Sequence, residues 1–313
     1  GNHDWYYQLK GEAFDAIRRE IIQAMGLNNA PTPFPFDLRK YKPDFPWAED
    51  DAPAIRKLFE EYKVFARHGD LFDSFNFNRE TGRAHATLGD ALAMEVINKF
   101  PETLVHEGFN PALVDNLRQI SNVRPAFATP LWVNAQLTAL AKQNQLKRGG
   151  ENELKKVWDR LADEFLDLDF VTQADKSFEF DVVDALQAGI KLSKLVSFET
   201  IDKLTLRLQG RKKRGDLSFT QHALLEPAFL DKSARYFVYG HTHHQETIAL
   251  EHDATLGDQV YFNSGTWHTY FDLARNNPRQ KRFVPYKAIT YITFYKDEEH
   301  DERRFETWTG AYA

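Results

Sequence analysis

The chain has 313 residues, 42% of them hydrophobic and 27% charged, which is enough length and apolar content for one large domain or two ordinary ones. A formal charge of −6 and a pI near 6.0 give no support for a nucleic-acid-binding surface. The absence of cysteine excludes disulfides and thiolate metal sites.

The chain opens on Gly1-Asn2-His3-Asp4, and Trp5 to Met25 then reads as a helix with Phe14, Ile17, Ile21 and Ile22 near one face. Residues 28–47 hold Pro31, Pro33, Pro35, Pro43 and Pro46 and read as loop or edge. A helix is expected over Ala52 to Glu61, then a short strand, Tyr62 to Ala66, that delivers His68 at its end. Helices are expected at Asp90–Phe100, Pro111–Ile120, Leu131–Gln145, Asn152–Leu168 and Val182–Val196. In the fourth of these, Leu154, Val157, Trp158, Leu161 and Phe165 form an apolar stripe expected to pack into a core. The basic run Arg211-Lys212-Lys213-Arg214 reads as a solvated loop. Strand signals return at Tyr236–Tyr239, Val260–Phe262, Ala288–Phe294 and Arg304–Trp308. This order predicts an α/β fold with residues 1–80 and 231–313 as its core and 81–230 as a mainly helical insertion or cap. No apolar run approaches the ~20 residues of a membrane-spanning helix, and a cytoplasmic location is the expectation.

Three motifs carry chemistry. In Gly240-His241-Thr242-His243 two imidazoles separated by one residue are expected on the same side of extended backbone, facing one cleft. In Asn2-His3-Asp4 the Asn side chain is a neutral oxygen ligand. The adjacent His3 is placed to donate to a phosphate oxygen or leaving group, oriented by Asp4. In His68-Gly69-Asp70 a third imidazole stands at a strand end. Asp70 and Asp73 read as turn-forming or supporting groups rather than ligands. His244 and His268 adjoin the motifs and are candidates for supporting or substrate contacts.

In this order the motifs resemble the calcineurin-like metallophosphoesterase superfamily, whose pattern is D-x-H, G-D-x-x-D, G-N-H-D/E, H, G-H-x-H. The resemblance covers residues 1–80 and about 231–313. The stretch Asn263-Ser264-Gly265-Thr266-Trp267 is similar to the segment after the last motif in many members. The layout is most similar to the branch containing UDP-2,3-diacylglucosamine pyrophosphohydrolase, with a longer insertion. The resemblance implies a sandwich of two facing mixed sheets flanked by helices. It implies two divalent transition-metal ions (Mn, Fe, Zn or Ni), one bound by Asn2, His68 and His241 and the other by His243, with His3 and Asp4 as the phosphate-contacting pair. It further implies hydrolysis of a phosphoester by a hydroxide bridging the metals, the substrate being a phosphorylated small molecule or a lipid-linked one.

The first two motifs of the pattern are not in the chain, so the fold is expected to be N-terminally incomplete and the isolated chain to hydrolyse little. Gly69-Asp70-Leu71-Phe72-Asp73 has the letters of G-D-x-x-D but stands after Asn-His-Asp, and His68 fills the fourth slot, so it is not assigned as the bridging site. The alternatives are a non-catalytic relative that uses the helical block for protein contacts, and a structural metal-binding protein.

Overall fold

The computed structural model describes residues 11–26, 59–73, 75–77, 87–124, 129–142, 150–169, 171, 217–273, 283–296, 298–301 and 303–312. The described residues form a mixed α/β fold, with two four-stranded sheets and helices. Of the expected elements, the helix at 182–196 and the proline-rich stretch lie outside the described residues. Among the described residues no helix is long and apolar enough to cross a membrane.

The strands are β1 (Val64–Ala66), β2 (Val123–Arg124), β3 (Tyr236–Tyr239), β4 (Gln245–Asp253), β5 (Gly257–Ser264), β6 (Thr269–Leu273), β7 (Phe283–Phe294) and β8 (Phe305–Tyr312). The first sheet runs β1-β3-β5-β4, with β1, β3 and β5 parallel and β4 antiparallel at the edge. Phe65, Phe237 and Tyr261 stand in register across the three parallel strands, so period-two alternation sorts the side chains onto two faces. On one face, Phe65, Phe237, Tyr239 and Tyr261 pack with Ala223, Ala228 and Phe229 from two short helices, α7 (Phe219–Ala223) and α8 (Pro227–Leu230). On the other, Tyr236, Val260 and Phe262 pack with Ile292, Phe294 and Phe305 from β7 and β8. Both faces are thus covered, which explains why β3 and the middle of β5 read as unbroken apolar runs. Each fully buried aromatic contributes on the order of 1.5–3 kcal/mol.

Strand β4 carries no apolar signal because most of its residues are exposed. It is held as a hairpin partner of β5 by a tight turn in which the Asp253 carboxylate accepts from the backbone N–H groups of Thr255 and Leu256, with Gly257 at φ 85. The second sheet runs β2-β6-β7-β8, with β6 parallel to β2 and antiparallel to β7.

The chain divides into two compact units. One comprises Gly1–Thr87, Leu217–Trp267 and Ile289–Gly310; the other comprises Leu88–Asp216, His268–Ala288 and Ala311–Ala313. The second unit therefore takes in residues beyond the expected 81–230 insertion, because β6 pairs with β2. Residues 217–230 go with the first, because α7 and α8 pack on its sheet.

The other described α-helices are α1 (Glu12–Ala24), α2 (Leu88–Leu92), α3 (Lys99–His106), α4 (Pro111–Leu117), α5 (Thr129–Lys142) and α6 (Gly150–Leu166). A π-helical stretch, Ala93–Asn98, joins α2 to α3. Pro101, buried, follows this π-helical stretch with two residues between. Asn110 caps α4 by accepting from Ala112 N, with Pro111 at the first helical position. The α6 stripe of Leu154, Val157, Trp158, Leu161 and Phe165 is buried, as its spacing predicts, and Trp158 meets Phe100 edge to face at 5.2 Å.

Candidate functional site

Three parallel strands end side by side, and each delivers a polar residue at its C-terminal end: β1 leads to His68, β3 to Gly240-His241, and β5 to Asn263-Ser264. This end of parallel strands is where open α/β sheets carry their ligands. The backbone there is tightly stitched. Gly240 N donates to His68 O at 2.9 Å, and Asn263, fully buried, donates from Nδ2 to Gly240 O at 2.8 Å. Asn263 Oδ1 accepts from Gly265 N, closing the turn after β5. The two loops after β3 and β5 are thereby locked to one another.

His241 is the hub. Its Nδ1 lies 3.4 Å from His68 Nε2, and its Nε2 lies 2.9 Å from Asp73 Oδ2. Its side chain is only 9% exposed. Asp73 is itself fixed, accepting from Phe75 N at 2.9 Å and from Asn76 Nδ2 at 2.7 Å. Burial pushes the Asp73 carboxyl up, but the hydrogen bond and charge of His241, with Asn76 and the Phe75 N–H, outweigh it and hold its pKa below the ordinary value. A carboxylate on Nε2 sets the tautomer, placing the proton there and the Nδ1 lone pair toward His68.

Two imidazole nitrogens each about 2.0–2.1 Å from one tetrahedral ion stand about 3.3–3.4 Å apart. The 3.4 Å between His68 Nε2 and His241 Nδ1 fits two corners of such a site. Among the described residues no group of three or more His, Cys, Asp or Glu is arranged to hold an ion.

The Gly-His-Thr-His segment differs from its expected form. It is not extended: His241 and His243 both have left-handed backbones, at φ 66 and 62, and Thr242 N turns back onto Gly240 O at 2.7 Å. The two histidines therefore do not share one face of a strand. The positive φ at these non-glycine positions stores strain that the Asp73 and Gly240 contacts hold in place. His243 is partly buried and His244 exposed. Asp70 is buried at 1% exposure, in a short 3-10 turn opened by Gly69 at φ 97. His268 is exposed and belongs to the other unit. Asn2, His3 and Asp4 lie outside the described residues.

Directly behind the pair is a buried cluster that sequence reasoning missed. Arg67, immediately before His68, donates from Nη2 to Glu226 Oε2 at 2.9 Å, and Tyr239, two residues before His241, donates its hydroxyl to Glu226 Oε1 at 2.6 Å. Glu226 thus ties the ends of β1 and β3 together. Burial raises its pKa more than the Arg67 charge and the Tyr239 hydrogen bond lower it, and burial beside that carboxylate raises the Tyr239 phenol. Burial also pushes Tyr261, below Asn263, up to about 12. No local pattern announces Glu226, which reaches Arg67 across 159 residues of chain.

Compared with family models, with curated proteins and with solved structures, the chain matches none.

Proposed function

We propose that this chain is a metal-dependent phosphoesterase of the calcineurin-like type, an α/β sandwich whose His68 Nε2 and His241 Nδ1 hold one divalent transition-metal ion. The observation that carries the proposal is the 3.4 Å approach of those two nitrogens at the ends of neighbouring parallel strands. The Asp73 carboxylate on the remaining nitrogen of His241 supports it. On the motif alone, Asn2 is proposed as a further ligand, His243 as a ligand of a second ion, and His3 with Asp4 as the phosphate-facing pair. A bound divalent ion supplies Lewis acidity towards phosphoryl oxygens and an acidified water. Asp73 anchors the Nε2 side of the His241 ring and so aims Nδ1 at His68, Asn263 and Gly240 hold the loop that carries it, and the Glu226 cluster fixes the separation of the two strand ends. The substrate proposed is a phosphate ester on a small or lipid-linked molecule.

Elemental analysis after Mn²⁺ or Zn²⁺ loading tests the ligands. His68→Ala and His241→Ala are each expected to lose most of the bound metal. His300→Ala, whose ring packs on Tyr295, is expected to retain it. Equal loss in all three, or a wild-type chain that binds no metal, overturns the assignment. Mn²⁺-dependent turnover of an aryl phosphodiester, at the low rate expected of a chain without the first two motifs and abolished in both ligand variants, carries the catalytic half of the proposal. Metal binding without turnover transfers the chain to a non-catalytic metal-binding role.

A further inference from the structure

At the other end of the same parallel strands lies a cavity of about 680 Å³, lined by the residues that open β1 and β3, by the β4–β5 turn and by the segment after β7. Its size is that of a small-molecule site. Three cations line it: Lys296, and, at adjacent backbone positions, Lys63 and Arg235, joined by Arg235 N donating to Lys63 O at 2.9 Å. Arg235 is the unusual one. Its Nε is buried without a hydrogen-bond partner, and among the described residues its guanidinium has no carboxylate. It lies over the face of Tyr236, 5.7 Å from the ring centroid. The fold makes room for it with glycine: at Gly257, left-handed at φ 85, a Cβ would stand 2.6 Å from Arg235 Nη2.

A buried guanidinium N–H without a hydrogen-bond partner is costly, and such a donor calls for a bound group. The acids lining the cavity have other partners or are exposed. Glu61 pairs with Lys296 Nζ at 3.1 Å, Glu299 accepts from Lys296 N at 2.8 Å, and Glu298 is exposed. Thr255 lines the same space and brings a hydroxyl, while Tyr62 and Tyr295 line it with aromatic rings.

We infer that this cavity binds a phosphorylated small molecule of nucleotide size. Its phosphate sits against Arg235, Lys63 and Thr255, and its ring body lies along the tyrosines. Two cations with no carboxylate partner among the described residues match the double charge of a phosphate monoester better than the single charge of a carboxylate, and guanidinium and phosphate pair bidentately. The site is separate from His68 and His241 and does not rest on the metal reading.

Isothermal titration of the full chain in EDTA, which silences any metal site, tests it with three probes: adenosine 5′-monophosphate, inorganic phosphate and adenosine. The monophosphate is expected to bind at least tenfold more tightly than phosphate, and adenosine not measurably. Arg235→Gln is expected to weaken monophosphate binding at least tenfold, Gly257→Ala to act in the same direction by displacing the guanidinium, and Lys63→Gln to weaken it several-fold without disturbing the fold. His241→Ala is expected to bind as wild type. Adenosine binding as tightly as the monophosphate, wild-type affinity in a folded Arg235→Gln or Lys63→Gln chain, or equal loss in His241→Ala would each overturn the inference.

Discussion

Replacing Glu226 by leucine removes the one carboxylate that joins Arg67 to Tyr239, and the structure sets the size of the effect. Both ends of the ion pair are almost fully buried, at 3% exposure for Arg67 and 5% for Glu226. Removing one partner of such a pair costs about 3–5 kcal/mol, because the remaining charge stays desolvated. The lower end applies here, since Arg67 keeps its position over the Phe65 ring at 4.9 Å. A loss of about 3 kcal/mol corresponds to a Tm lower by about 6–12 °C in a chain of this size. Burial outweighs the neighbouring positive charge in setting the Glu226 pKa, so the intact pair gains little over an apolar cluster of the same shape. The triple replacement Arg67→Met, Glu226→Leu, Tyr239→Phe removes the ion pair and the hydroxyl together, and is therefore expected to recover most of the loss. Urea unfolding of the single, double and triple variants measures the coupling directly. A Glu226→Leu variant within about 1 kcal/mol of wild type, or a triple variant as unstable as the sum of its parts, would refute the reasoning.

The same geometry sets three further outcomes. Asp73→Asn keeps the shape but removes the charge on His241 Nε2, so metal affinity measured by chelator competition should fall about 10–100-fold while bound stoichiometry at saturation is unchanged. Glu226 has its folded pKa raised above the ordinary 4.5, so the folded chain binds more protons than the unfolded one above that pH. Its contribution is complete below pH 4.5 and is lost as pH rises through the folded value; the stability difference between wild type and Glu226→Gln should therefore shift toward the variant on going from pH 4.5 upward. Trp158→Ala, which empties the centre of the α6 stripe against Phe100, should destabilise the helical unit by about 3–5 kcal/mol and leave metal content per folded chain unaltered.

The range of an interaction decides whether the sequence makes it legible. Tyr236–Tyr239 and the α6 stripe are strong local signals, because burial on both faces of a strand or on one face of a helix writes itself into consecutive residues. Strand β4 is invisible by the same rule: mostly exposed, it is held by its turn and by β5 rather than by its own apolar face. The histidine-bearing loops are locatable because each comes after an apolar strand and adjoins a glycine. Their conformation is not, since nothing in Gly-His-Thr-His distinguishes an extended segment from two left-handed residues. That choice is made by contacts from elsewhere in the chain, namely Asp73 on the His241 ring and Asn263 on the Gly240 carbonyl. Asp73 illustrates the limit well. Its hydrogen bonds to Phe75 and Asn76 are the turn role its spacing predicts, whereas its bond to His241, 168 residues away, is what gives it a place in the site. Glu226 and Arg235 go further, since each is a charge in a buried or cramped setting whose meaning depends entirely on the strands that fold around it. The residues that orient and clamp a site are therefore read less readily from sequence than those that touch a ligand, because a ligand imposes local spacing and a clamp does not.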